Sequence, residues 1–409
     1  MPETAPLTLR QVIEKYPDVS PYTIIKTDVQ RRTVTYTPAA LAAVDPSVHQ
    51  VEYIGYNVNL KETAIPCSLL LRDGSSVLSA PFPTKKKPYV VDVVDGKTVL
   101  TDDGEVIEEV FYWHKPDYYN KTTSSGRPMW QLVGARPQRL DINPYNYCHF
   151  WDNGKGCKYC SIASNYQKHK NERELLLPAA EIAETVGEAL KQPGRFAYLL
   201  LTGGSITGGQ EAFDAEVDNY IEILQAIGEN FNTKRFPSQL IGTAFNEKQL
   251  ERLHEKTGLM SYTSDIEVLN EEKFNWICPG KAEWIGYKEW KRRLSAAVEI
   301  FGRGYVNTGI VGGVELAKPH GFKTEEEGLA ATLEEAESLA ELGISTVYCL
   351  WNVLPGTVFQ DQENASLEYY VRLGRGLQAL RQKYGISIDM DDYRRCGNHP
   401  DSDLARCNL

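Results

Sequence analysis

The sequence predicts an α/β protein built on a complete or partial barrel of the TIM type, with a β-rich accessory domain before it and a C-terminal extension after it. Three observations predict this. From Pro137 onward, short apolar runs alternate with helix-length segments, and strands joined by a helical crossover pair in parallel. Polar or glycine-rich residues follow these runs at 202–205, Thr243, Asp265 and Glu267, 312–315 and 352–357, so they would gather at one rim, where barrels place their chemistry. The first 135 residues follow a different rhythm of short β-rich runs and tight turns. An open doubly wound sheet is the alternative architecture that the same alternation allows.

Residues 7–15 read as a short helix, and 22–26, 33–36, 51–58 and 67–80 as β-rich runs. Asp-Gly pairs at 73–74, 95–96 and 103–104 are hairpin turns by composition. This accessory domain, 1–135, is either one wall of a substrate cavity or a stability or dimerisation module. In the barrel, 136–365, Pro178 introduces a helix that ends near Pro193-Gly194, and the buried strand 196–201 runs straight into Thr202-Gly203-Gly204-Ser205. A helix at 212–229, a strand at 238–242 and a helix from Asn246 follow, with Asn246 and Gln249 forming a capping pair. Further strands are expected at 262–268, 305–310 and 345–351. Helices at 285–301 and 325–342 connect them, the latter opened by Thr324 with Glu327. The extension, 366–409, begins with a closing helix at 367–384, ended by Gly385.

With 409 residues the chain has room for one large domain and a smaller one, and its 42% hydrophobic and 24% charged residues are an ordinary globular balance. A net charge of -11 argues against a broad nucleic-acid or anionic-membrane surface. The N-terminal residues lack the basic and apolar segments of a signal peptide, and no apolar run approaches a membrane span, so a cytoplasmic location is the expectation. The eight cysteines are scattered, unlike those of a small secreted fold.

Three of them stand together in YNYCHFWDNGKGCKYCSIAS: Cys148, Cys157 and Cys160. Two thiolates separated by two residues can grip one metal centre, and a third arrives from nine residues upstream. Three ligands on a [4Fe–4S] cluster would leave one iron open to a substrate or cosubstrate. Tyr147, Phe150, Trp151 and Tyr159 would shield it, and Gly154 and Gly156 would let the loop wrap. A zinc knuckle, a redox pair and unligated buried thiols are the alternatives; His149 and His169 are the nearby imidazoles.

In this combination the chain resembles the radical S-adenosylmethionine superfamily. Cys148, Cys157 and Cys160 take the positions of the cluster ligands after the first core strand, and Tyr159 that of the aromatic residue before the last cysteine. The spacing is C-x8-C-x2-C where the superfamily usually has C-x3-C-x2-C. LLLTGGS resembles the glycine motif after the second barrel strand, with Ser205 in place of a frequent acidic residue. SDIEVLNEEKFNWICPGK, AAVEIFGRGYVNTGIVGGVE and WNVLPGT look like the biotin synthase, hydrogenase-maturase and methylornithine synthase branch, over about residues 137–365. The resemblance implies a [4Fe–4S] cluster and S-adenosylmethionine as cofactors, oxygen sensitivity, and a reducing partner such as flavodoxin or ferredoxin. It further implies that Gly203, Gly204 and Ser205 meet the methionyl part of the cosubstrate, Glu267 its hydroxyls, and Gly309, Ile310, Val311 and Gly312 its adenine.

The reaction expected is fragmentation, rearrangement or group transfer on a small, anionic metabolite, as a lyase, mutase or transferase. Thr243, Asn246, Tyr262, Asp265, Asn307 and Asn352 are candidate polar contacts, and Lys281, Arg292 and Arg293 candidate partners of a carboxylate or phosphate. Each is equally explained as a turn, cap, core or solvated residue. Alternative functions are a radical methyltransferase, an RNA- or peptide-modifying enzyme (including a zinc-bearing one), and a noncatalytic iron–sulfur electron-transfer protein. In the tail, Cys396, His399 and Cys407 form a second candidate metal site, against an ordered tail with free cysteines or a flexible one.

Overall fold

One row of side chains organises the molecule: Ile142, Leu201, Leu240, Tyr262, Val306 and Ile344, neighbours across successive parallel strands and all buried in one core. The computed structural model describes residues 6–48, 65–66, 68–78, 84–171, 174–386 and 399–400. The expected run at 51–58, Cys396 and Cys407 lie outside them.

The chain starts with α1 (Leu9–Lys15) and α2 (Pro21–Arg32), then β1 (Val34–Tyr36) and α3 (Pro38–Ala42). The β-rich reading of 22–26 is corrected here: the segment is helical, because Ser20 caps the backbone N–H of Tyr22 and Pro21 opens the first turn. Strands β2 (Ser68–Leu70) and β3 (Ser76–Leu78) form a small hairpin. A second sheet has the order β1-β4-β5-β6, with β4 (Tyr89–Val94), β5 (Lys97–Asp102) and β6 (Glu105–Glu109). Its two hairpins turn at Asp95-Gly96 and Asp103-Gly104, where all four residues take positive φ, the mirror-image turn that matches strand twist.

The main sheet has seven strands in the order β13-β12-β11-β10-β9-β8-β7. It opens with an antiparallel pair, β7 (Gly134–Arg136) and β8 (Arg139–Ile142), and continues in parallel. Helices α4 (Ile162–His169) and α5 (Ala179–Ala189) precede β9 (Tyr198–Thr202); α6 (Asp214–Gly228) precedes β10 (Ser238–Ile241), and α7 (Glu247–Lys256) precedes β11 (Ser261–Thr263). Three helices, α8 (Glu271–Ile277), α9 (Pro279–Trp284) and α10 (Tyr287–Phe301), lead to β12 (Val306–Gly312); α11 (Glu325–Glu341) leads to β13 (Ile344–Leu350) and α12 (Leu367–Tyr384) closes the order. The sheet curls into a partial barrel, flanked by helices and by the β-rich N-terminal region. Consecutive strands are sheet neighbours from β7 through β13, which a doubly wound sheet with its reversal of order would not give. The strand expected at 262–268 stops at Thr263, and the backbone then turns through Glu267 at φ 72°.

The apolar row packs under the helices, and the opposite face of the same strands carries Asp141, Gln239, Ser261, Thr263, Asn307 and Ser345. Gln239 donates to Thr263 at 2.7 Å and Asn307 to Ser261 at 3.2 Å, so polar groups on this buried face are partly satisfied by one another. Helix α2 is buried from Thr23 to Gln30 despite its polar composition, and it packs against β13 and α12. No helix among the described residues is long and apolar enough to cross a membrane.

Candidate active site

The loop after β8, the first parallel strand, carries the three cysteines. It is pinned from two sides. The exit of β9 presses on it: a Cβ on Gly204 would lie 1.9 Å from the Tyr147 carbonyl oxygen and 2.7 Å from Cys148 Cα, and one on Gly203 would lie 3.0 Å from the Tyr145 carbonyl oxygen. The two glycines thus serve the approach of the chain's own backbone. His149 N–H donates to the Ser205 carbonyl at 2.9 Å. On the other side, Lys158 N–H donates to the Ile277 carbonyl at 2.9 Å and Gly280 N–H to the Lys155 carbonyl at 2.7 Å, clamping the loop to the α8–α9 junction. Trp151 lies over Gly156, where a Cβ would meet its ring at 2.0 Å.

His149 is held by its neighbours. Its Nδ1 accepts from Thr207 N–H at 3.3 Å, which leaves Nε2–H to donate to the Tyr145 hydroxyl at 2.8 Å.

Each cysteine sulfur faces donors. Burial pushes Cys148 up to about 11, opposed by the N–H groups of Ser205 and Phe150. Burial also raises Cys160, opposed by the Ile162 N–H. Cys157 is lowered, first by a hydrogen bond from the Cys278 thiol, and then, against its burial, by Lys281 and the Tyr159 hydroxyl. Cys157 is close enough to raise both Cys148 and Cys160, and Cys148 to raise Cys160. Buried thiols that repel as thiolates, ringed by donors that favour thiolates, fit a cofactor that brings its own positive charge. Among the described residues, no group of three or more His, Cys, Asp or Glu side chains closes around a point that could hold a metal ion. A cluster distributes its thiolates over separate irons, so its ligands stand further apart than those of one ion.

Beside the thiols sits a charged group at the ends of β11 and β12. Lys281 on α9 pairs with Glu267 at 2.7 Å, donates to the Asp265 carbonyl at 2.5 Å, and lies 4.7 Å from the centre of the Trp290 ring. Burial by itself would lower Lys281, but Glu267, Cys157, Cys278 and Asp265 together raise it. Burial and the Glu267 charge push Asp265 up to about 7, against Lys281 and a 2.8 Å bond from Gly309 N–H. Gly309 lets Asp265 approach closely: a Cβ there would lie 2.5 Å from the Asp265 carboxylate. The backbones of Glu267 and residues 309–311 interlock, Glu267 N–H to the Gly309 carbonyl and Val311 N–H to the Glu267 carbonyl, both 3.0 Å. Ile310 is buried beneath them, and the Gly312 carbonyl accepts from Trp351 N–H at 3.1 Å.

Glu216 on α6 joins this rim from below. Its carboxylate accepts from Ile206 N–H, Thr243 N–H and the Thr243 hydroxyl at 2.8–2.9 Å. The Thr243 hydroxyl also lies 2.6 Å from the Ser205 hydroxyl. Burial, outweighing these bonds, pushes Glu216 up to about 7.

Other candidates stand elsewhere. Asn246 caps α7, accepting from Gln249 N–H at 3.0 Å. The Tyr262 hydroxyl bonds the Thr243 carbonyl within the core. Arg292 is paired with Glu289 and Glu247 on the outer face of α10, and Arg293 with Glu289 and the Ala244 carbonyl. Asn307 belongs to the polar face, and the buried Oδ1 of Asn352 has no hydrogen-bond partner among the described residues. His399 donates through Nδ1 to the Tyr348 carbonyl at 3.0 Å; burial depresses it to about 3. Its expected companions Cys396 and Cys407 are outside the described residues. Sequence reasoning passed over Cys278 and Glu216 as members of the site: one reaches it from the α8–α9 junction and the other from α6, far along the chain and with no spacing signal.

No family model matches the chain. It is 24% identical over 297 residues, 69% of each chain, to a bacteriochlorophyllide c C-7(1)-hydroxylase of Chlorobaculum limnaeum. Among solved structures it is similar to methylornithine synthase, with a TM-score of 0.41 and 17% identity over 63% of this chain and 71% of that one. It is also similar to a radical SAM methyltransferase from Sphaerobacter thermophilus, with a TM-score of 0.41 and 15% identity over 97% and 98%.

Proposed function

We propose that this chain is a radical S-adenosylmethionine enzyme acting on a small organic molecule, with Cys148, Cys157 and Cys160 as the ligands of one [4Fe–4S] cluster. The observation that carries the reading is the convergence of three donor-ringed thiols, one buried and two half-buried, just beyond the first parallel strand of a partial barrel. With S-adenosylmethionine bound, the cluster supplies one-electron cleavage of the sulfonium and so a radical able to remove hydrogen from an unreactive C–H bond.

The protein's part is holding and exclusion. The N–H groups of Ser205, Phe150 and Ile162 orient two of the ligand sulfurs, and Tyr159 and Cys278 the third. Lys281 fixes Oε1 of Glu267, leaving Oε2 to accept from a ligand hydroxyl. Asp265 packs closely on Gly309 beside this ion pair, and its carboxyl can hold or yield a proton near neutral pH. Since Lys281, Arg292 and Arg293 are already paired, recognition of the substrate falls to the polar face of the sheet and to Asn352. The identity to a bacteriochlorophyllide hydroxylase favours C–H functionalisation of an organic molecule over modification of RNA or peptide.

Anaerobic reconstitution tests the assignment. Iron and sulfide should bind in equal amounts, and each single Cys→Ala change at 148, 157 or 160 should greatly impair that loading. Reduction with S-adenosylmethionine should release 5′-deoxyadenosine, and deuterium should enter it from a labelled small metabolite. An unchanged cluster in all three variants would sink the ligand assignment, and transfer only from labelled RNA or protein would sink the substrate class.

A further inference from the structure

The two backbone bonds that clamp the cysteine loop to the α8–α9 junction run in antiparallel sense. Residue 158 bonds 277 and residue 155 bonds 280, so the position opposite Cys157 is Cys278. Cys157 directly precedes the donor of a 2.9 Å bond and Cys278 directly follows its acceptor, which holds the two backbones side by side. Each thiol lies close enough to the other to alter its acidity. Cys278 is 0% exposed and Cys157 9%, and both belong to the main core, so neither side chain has an easy alternative direction. Chain proximity alone would pair Cys157 with Cys160, three positions away. Those two stand instead on one tight turn, where Cys160 N–H bonds the Cys157 carbonyl at 3.0 Å.

We propose that Cys157 and Cys278 are a redox modification site: in the cluster-free protein they oxidise to an intramolecular disulfide. The oxidant is a small disulfide. A thiolate of the pair attacks it, displacing one thiol and forming a mixed disulfide, and the second thiolate then attacks that bond and releases the other thiol. The two cysteines lose two protons and two electrons, and the reagent takes up both as two thiols. The bond forms in preference to others because the clamp sets a high effective concentration for this pair. Its consequence, which rests on the ligand reading above, is that one member of the triad is withdrawn until a thiol reductant returns it.

The test uses the full chain, freed of metal with a chelator under anaerobic conditions and equilibrated with bis(2-hydroxyethyl) disulfide. Trypsin separates the relevant cysteines into four peptides, 140–155, 156–158, 159–168 and 274–281. Nonreducing mass spectrometry should show 156–158 joined to 274–281 as the main internal link, reversed by dithiothreitol. A dominant link among 140–155, 156–158 and 159–168, or no internal link, overturns the proposal. Cys278→Ser should abolish the link; should that variant fail to fold, the wild-type map decides alone. A separate arm distinguishes this from the cluster assignment: oxidised wild type should lose iron loading and regain it on reduction, while oxidised Cys278→Ser keeps it. If the peptide link forms but loading is unaffected, the disulfide stands and the ligand role of Cys157 falls.

Discussion

Glu267 holds a backbone conformation that residues other than glycine rarely adopt, and it is kept there by two backbone bonds to β12 and by Lys281. The ion pair is mostly buried, with side chains 15% and 11% exposed. Removing one partner leaves a buried charge unpaired, so Lys281→Met should cost about 3–5 kcal/mol, read from chemical denaturation. The double change Lys281→Met with Glu267→Gln should recover much of it. Gly204 sets a different limit, because an added methyl has backbone atoms in its way. Gly204→Ala should lose about 1–3 kcal/mol, and a variant as stable as wild type would refute the packing role given to this turn.

At the scale of elements, helices α6 and α7 carry the rim rather than the reaction. Asn246 was a candidate contact by its position after a strand, yet its side chain caps α7; Asn246→Ala should lower stability by about 1 kcal/mol. Glu216 ties α6 to the exits of β9 and β10. Its folded value of about 7 exceeds an unfolded value near 4.3, so the native state binds the extra proton between them. Stability tied to this group is therefore full below about pH 4 and declines as pH rises towards 7. Denaturation midpoints across pH 4.5–7.5 should show this decline, and Glu216→Gln should flatten it. The same substitution should weaken the rim, since an amide nitrogen cannot accept the bonds that one carboxylate oxygen now receives.

Across the whole molecule, the N-terminal region belongs to the barrel's own stability. Helix α2 packs on α12 and β13, Lys26 reaches the His399 carbonyl at 3.4 Å, and Tyr16 and Lys15 both meet Glu368 on α12. Deleting residues 1–32 should expose this shared surface and abolish a single cooperative thermal transition in calorimetry. A barrel that still melts cooperatively near the wild-type temperature would show that the two regions are independent.

The sequence alone determined what local chemistry controls. Alternation of apolar runs with helical segments gave the strand and helix order, since burial of one face imposes a period. Asp95-Gly96 and Asp103-Gly104 announced their hairpins because few residues tolerate positive φ, and Asn246 with Gln249 announced a helix start. Local reading failed at 22–26, where β-branched residues suggested a strand, while the Ser20 cap and Pro21 start a helix whose burial is set by the tertiary structure. It also failed at 264–268, where the chain turns at Glu267, held by two backbone bonds to β12 and by Lys281 from a later helix. That the three cysteines share one loop was legible because they are close in the chain. The placement of Cys278 opposite Cys157, the Glu216 bracket and the pairing of Lys281 were decided only by the fold, because each joins residues dozens of positions apart and no spacing rule records such a meeting.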